Sequence, residues 1–195
     1  MNSGVNEIFN AIKNDVDNLE FTKQGIYPLF AANSKAQICL IGQAPGILAQ
    51  ESGVYFNDPS GVRLRQWLGL SDEDFYNPEK IAVLPMDFYY PGKGKSGDLP
   101  PRKDFAKKWH PLLLEQMPNV ELFVLIGSYA QKHYLQLPSS SNIGEQVRNY
   151  KQHLPTYFPI IHPSPRNNIW LKRNLWFEEE IIPALQAVVA KILNT

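Results

Sequence analysis

Apolar residues gather in four short continuous runs, Gln37 to Ile41, Ile81 to Pro85, Glu121 to Ile126 and Tyr157 to Ile161. Runs of this length without alternation, bounded by turn-forming residues, predict strands covered on both faces. Between them the period changes. Val5, Ile8, Phe9, Ile12 and Val16 recur at helical spacing and open the chain with an amphipathic helix, and Phe105, Trp109, Leu112 and Leu113 do the same within Lys103 to Glu115. Further helices are expected from Gly61 through Trp67 and Leu68, from Ser128 onward, over Asn142 to Tyr150, and over Trp176 to Leu193, where Pro183 imposes a kink or a break. Strands that alternate with helices imply an α/β fold, a three-layer α/β/α sandwich around a central, mostly parallel four-stranded sheet.

Two of the apolar runs end in polar turns far apart in sequence. The first passes into Gly42-Gln43-Ala44-Pro45-Gly46 and the last into His162-Pro163-Ser164-Pro165. Loops that leave the carboxyl ends of strands in an open α/β sheet converge on one crevice, so these two segments are expected to face a single ligand. Taken singly, the first is a tight strand-to-helix turn and the second a rigid turn with a hydrogen-bonded histidine. The stretch from Phe88 to Arg102, rich in Pro, Gly and Lys, reads as a loop long enough to be functional or mobile.

At 195 residues the chain suits one domain spanning 1–195, and 44% hydrophobic with 19% charged residues is an ordinary globular balance. Nineteen Lys and Arg against nineteen Asp and Glu leave no global basic field, so any nucleic-acid contact must be local. Cys39 is the single cysteine, which excludes an internal disulfide and suits packing in a reducing cytoplasm. His110, His133, His153 and His162 lack zinc-ligand spacing, so no metal is expected. Met1 to Asn10 lacks the basic start and apolar stretch of a signal peptide, and no apolar run approaches the ~20 residues of a membrane span. Gly94-Lys95-Ser96 lacks the leading Gly of a phosphate loop, where Tyr89 stands. Gly127-Ser128-Tyr129 likewise lacks the second Gly of a hydrolase nucleophile elbow.

Gly42-Gln43-Ala44-Pro45-Gly46, then Gly53-Val54-Tyr55-Phe56-Asn57-Asp58-Pro59-Ser60-Gly61, then His162-Pro163-Ser164-Pro165 resemble, in order, the motifs of the uracil-DNA glycosylase superfamily. The likeness runs from about Ile38 to the end. It implies a DNA glycosylase of base excision repair that hydrolyses the N-glycosidic bond of uracil or another deaminated base, with DNA as partner, no cofactor, and a monomer as the working form. Such a site must stabilise positive charge on the sugar and negative charge on the departing base, and must receive a base flipped from the stack.

Carried onto this sequence, the resemblance gives Gln43 the orienting of water, Asp58 or Asp87 the negative charge ahead of Glu51, and His162 the stabilising of the leaving base. Phe56 would stack on the base, with Gly42, Ala44, Pro45, Gly46 and Ser164 around it. Arg166 would fill the gap in the duplex, flanked by Pro163, Pro165 and Asn167. Lys93 and Lys95, with Arg102 and Lys103, would meet phosphates. The chain also departs from the family. Gln43 stands where many members place a carboxylate, Leu84-Pro85-Met86-Asp87 offers no Asn to read a pyrimidine edge, and one cysteine excludes an iron–sulfur cluster. These departures leave room for a non-catalytic binder of nucleobases or nucleic acid on the same fold. A plain α/β domain serving protein partners would instead show a filled, flat surface around Phe56 and His162.

Overall fold

The computed structural model describes residues 3–95 and 97–194. Its strands are β1 (Ile38–Ile41), β2 (Ile81–Val83), β3 (Lys93–Gly94), β4 (Gly97–Asp98), β5 (Leu122–Ile126) and β6 (Tyr157–Ile160). The helices are α1 (Ser3–Asn14), α2 (Leu19–Lys23), α3 (Ile47–Ser52), α4 (Pro59–Leu68), α5 (Asp72–Phe75), α6 (Phe105–Leu114), α7 (Gly127–Tyr134), α8 (Ile143–Arg148), α9 (Asn168–Arg173) and α10 (Ile182–Leu193). All four predicted strands form one parallel sheet in the order β2-β1-β5-β6.

The pleat sorts each strand onto two cores. Ile38 and Leu40 face the side covered by Leu64, Trp67 and Leu68 of α4 and by Leu185 and Val189 of α10. Cys39 and Ile41 face the side covered by Val5 and Ile12 of α1 and by Phe105, Trp109 and Leu113 of α6. Helices therefore lie on both faces of the sheet, which accounts for its unalternated apolar runs. Burial raises the Cys39 thiol well above its ordinary pKa, as fits a packing role.

Three details differ from the sequence reading. Helix α1 stops at Asn14, because Asp15 turns out to accept the Asp17 amide in a 3₁₀ turn, and Val16 is left 77% exposed. The Phe88 to Arg102 stretch is not a free loop: Phe88 and Tyr89 are buried, and β3 and β4 pair as an antiparallel hairpin. Ahead of α10, Phe177–Ile181 forms a π-helical turn, consistent with Pro183 lacking an amide donor and crowding the carbonyl four residues back. Ser96, part of the rejected phosphate-loop triplet, lies outside the described residues. No helix among the described residues is long and apolar enough to cross a membrane.

Register brings the functional turns together. Ile41 pairs with Leu125 and Ile126 with Ile160, so the segments after β1, β5 and β6 leave the same edge of the sheet. The segment after β2 joins them through the Met86 amide, which donates to the Gly42 carbonyl at 2.8 Å.

Candidate active site

A cleft of about 440 Å³ opens at the carboxyl ends of the strands. Gly42 to Gly46 form one wall. This wall runs close to the groups opposite: a Cβ on Gly42 would come into van der Waals contact with the Phe56 ring at 3.6 Å, and one on Gly46 with Asp58 Oδ2 at 3.6 Å. Gln43 Nε2 donates to the Leu99 carbonyl at 2.9 Å, which fixes the amide and leaves its oxygen as an acceptor.

Phe56 also borders the cleft. Its ring packs edge-to-face on Phe75 at 6.0 Å, so it has a core contact as well as a cleft surface. Its backbone is held at φ +53, a conformation that a bulky residue keeps only when its surroundings impose it. Arg65 Nη1 and the Tyr76 hydroxyl both donate to the Phe56 carbonyl, and Gly61 packs so closely that a Cβ there would lie 1.8 Å from that oxygen.

Asp58 combines two positions in the structure. It is the N-cap of α4, with Oδ1 accepting the Gly61 amide at 2.8 Å, and it also lines the cleft.

His162 stands across from these groups. It sits against Gly127, whose φ of +80 and missing side chain admit the imidazole; a Cβ there would lie 3.4 Å from His162 Cβ. The Ser164 amide donates to Nδ1 at 3.1 Å, so the proton of the neutral ring belongs on Nε2. Burial lowers the pKa of His162, while the charges of Asp58 and Asp98 push the other way. The product is a neutral donor, held in place by Asn167, which donates to the His162 carbonyl at 2.7 Å.

Ser164, Arg166 and Asn167 line the same cleft. Pro163 is buried behind it, and Pro165 is exposed beside it. Arg63 Nη1 ties this loop to α4 by donating to the Pro163 and Ser164 carbonyls at 3.2 and 3.4 Å. Lys93 and Lys95 are exposed on the hairpin and do not border the cleft, nor does the exposed Glu51. The Arg166 guanidinium lies against Gly97 on that hairpin, where a Cβ would fall 1.8 Å from Nη1.

Asp87 must be corrected. It is 1% exposed and belongs to a different cluster. Oδ2 accepts from the Arg102 amide and Nε at 3.1 and 2.7 Å, and Oδ1 accepts from Arg102 Nη2 and the Tyr89 amide at 2.8 and 3.1 Å. Arg102 also donates to Asn18 Oδ1 at 2.7 Å and lies against the rings of Phe105, Tyr89 and Phe21. Neither residue faces the cleft as a charge for the sugar or a rim cation.

The cleft holds residues that sequence reasoning passed over, among them Tyr55, Ser60, Asp98 and Tyr129. Tyr55 and Ser60 fall inside the second motif, so its boundaries already pointed to them. Nothing local in sequence marks Asp98, which reaches the cleft only because a two-residue strand folds back on another. Among the described residues, no group of three or more His, Cys, Asp and Glu is placed to hold a metal ion. An open cleft beside Phe56 and His162 also removes the basis for treating this edge as a plain protein-binding scaffold.

The family model of the uracil DNA glycosylase superfamily matches residues 29–186. Among solved structures, the chain is similar to an NMR solution structure from Methanosarcina acetivorans that is provisionally described as a uracil DNA glycosylase. The identity is 14%, the alignment covers 80% of this chain and 93% of that one, and the TM-score is 0.45.

Proposed function

The chain belongs to the uracil DNA glycosylase superfamily, and we propose that it is a DNA glycosylase that hydrolyses the N-glycosidic bond of uracil or another deaminated base in base excision repair. The observation that carries this is the neutral His162, its Nε2–H unclaimed by Ser164, in one cleft with Asp58, Gln43 and the ring of Phe56.

On this reading each group has a role. Phe56 stacks on the extruded base and offsets part of the few kcal/mol that flipping costs. As the C1′–N bond breaks, its electron pair moves onto the base, and His162 donates to the base oxygen where that charge collects. Asp58 opposes the positive charge that grows on the sugar. Gln43 accepts a hydrogen bond from the attacking water, whose oxygen forms the new bond to C1′. The water's proton passes to solvent or to the departing base. Arg166 enters the gap in the duplex, Pro163, Pro165 and Asn167 border the DNA beside it, and Lys93 and Lys95 meet phosphates from the exposed hairpin. The working form is a single-domain cytoplasmic monomer that needs no cofactor.

The binder reading keeps one specific support. Gln43 cannot accept a proton as a base, and its amide nitrogen is committed to Leu99. Labelled oligonucleotides carrying uracil, hypoxanthine or xanthine, followed by alkaline cleavage, separate the two. Excision by the wild type should fall on the order of 10²- to 10³-fold in His162→Ala, the cost of one donor to a developing anion. Binding to these oligonucleotides without excision of any lesion would install the non-catalytic reading instead.

A further inference from the structure

The wall that β2 contributes to the cleft offers no hydrogen bond to a base. Val83 and Pro85 line it, and the Pro85 carbonyl is occupied by His110 Nε2 at 2.9 Å. Asp87 is turned away into Arg102. A group that reads the edge of a base must therefore come from another segment.

The hairpin supplies one. Asp98 lines the cleft, and its two chain neighbours are both fixed. Gly97 pairs with Gly94 across the hairpin, and Leu99 is tied at both ends: its carbonyl accepts from Gln43, and its amide donates to the Gly92 carbonyl at 2.8 Å. The Tyr90 hydroxyl donates to Asp98 Oδ1 at 3.4 Å, so Oδ2 is left for a ligand. Asp98 is exposed and caps no helix, so the fold itself makes little use of its carboxylate. Its charge also acts on His162, against the effect of burial.

We propose that Asp98 reads the extruded base, accepting the ring N–H that adjoins the carbonyl held by His162, so that the cleft selects bases with a lactam edge. This rests on the reading that the cleft holds an extruded base. A donor beside an acceptor is the complement of C=O beside N–H. Uracil presents that pair at N3, and hypoxanthine and xanthine present it at N1. Cytosine and adenine, the parents of uracil and hypoxanthine, carry a lone pair at the same ring nitrogen, which faces the carboxylate with repulsion instead of a hydrogen bond. For those two bases deamination converts a rejected edge into an accepted one, whereas guanine, the parent of xanthine, already has the accepted edge. Thymine and guanine share the lactam edge, and normal pairing holds them in the duplex, since flipping costs least for a mismatched base.

The test uses free uracil, 3-methyluracil and cytosine, titrated into the intact protein by calorimetry, with excision of uracil from an oligonucleotide measured in parallel. Wild type should prefer uracil over both other bases by about tenfold or more, the scale of a hydrogen bond to a charged group. Asp98→Ala should weaken uracil by a similar factor and flatten both preferences. Asp98→Asn, whose amide can donate, should regain affinity for cytosine specifically. Preferences unchanged in Asp98→Ala, or no binding of any base by wild type, overturn the proposal. If the preferences hold and depend on Asp98 while no oligonucleotide is cut, the base-reading role stands and the hydrolase reading falls.

Discussion

Two polar clusters flank the segment from Asp87 to Arg102, and they are built on opposite terms. In the Asp87–Arg102 cluster both carboxylate oxygens take two donors each, and the guanidinium is shared among Asp87, Asn18 and three aromatic rings. In the cleft the protein accounts for only half of each group: Nδ1 of His162, Oδ1 of Asp58, Nε2 of Gln43. Two histidines repeat the contrast. His110 uses both ring nitrogens, on the Tyr134 hydroxyl and the Pro85 carbonyl, whereas His162 spends one on Ser164 and keeps Nε2 for a ligand. A polar group that is fully paired and buried fixes the fold, while one left half-paired at the edge of a cleft is available for chemistry.

That contrast predicts where a substitution will be felt. Arg102→Met leaves the buried Asp87 carboxylate unpaired and should cost about 4 kcal/mol of stability in denaturant unfolding. Adding Asp87→Leu should recover most of the loss, because removing both charges also removes the desolvation cost. His162→Ala should do the reverse, with a small change in unfolding and the full loss of excision stated above. Arg102→Met with an unshifted unfolding midpoint would mean that the buried pair does not hold this loop.

Much of the framework could be read from the chain because its signals are local. Each strand of the parallel sheet is an apolar run of a few residues that stops at Gly, Pro or His, and α1, α6, α7 and α8 begin within two residues of the starts the sequence predicts, whereas the short helices α2, α3, α5 and α9 were not foreseen. Gly42 to Gly46 and His162 reached one cleft for the same reason, being turns at the carboxyl ends of parallel strands. Asp87 and Asp98 were unreadable because their surroundings are set at long range. Asp87 meets an arginine fifteen positions on, across the segment that sequence treats as loop. Asp98 owes its place to β3 and β4, strands of two residues each, which leave no periodicity to detect.

The paired histidine also shows in the pH dependence of stability. Burial lowers the pKa of His110 from 6.5 to about 4, so in the folded protein it stays neutral. As pH falls below 6.5 the unfolded chain takes up the proton first, and stability that is full above that value is lost until the folded state also protonates near pH 4. The loss should be about 3 kcal/mol and should shrink in His110→Asn, read as the slope of unfolding free energy against pH. His162, lowered for the same reason, should keep excision from declining as pH passes down through the ordinary histidine range.

The smallest effect discriminates most finely, because Asp58 belongs to both kinds of group. Its Oδ1 caps α4, and the carboxylate also borders the cleft. Asp58→Ala should lose about 1 kcal/mol of stability with the cap, whereas Asp58→Ser keeps an oxygen for the Gly61 amide and should stay within a few tenths of the wild type. Neither carries the negative charge that the sugar requires, so excision should fall equally in both once corrected for folded fraction. Serine that restores excision along with stability would reduce Asp58 to a helix cap, and would leave Gln43 and His162 as the groups around which the reaction must be explained.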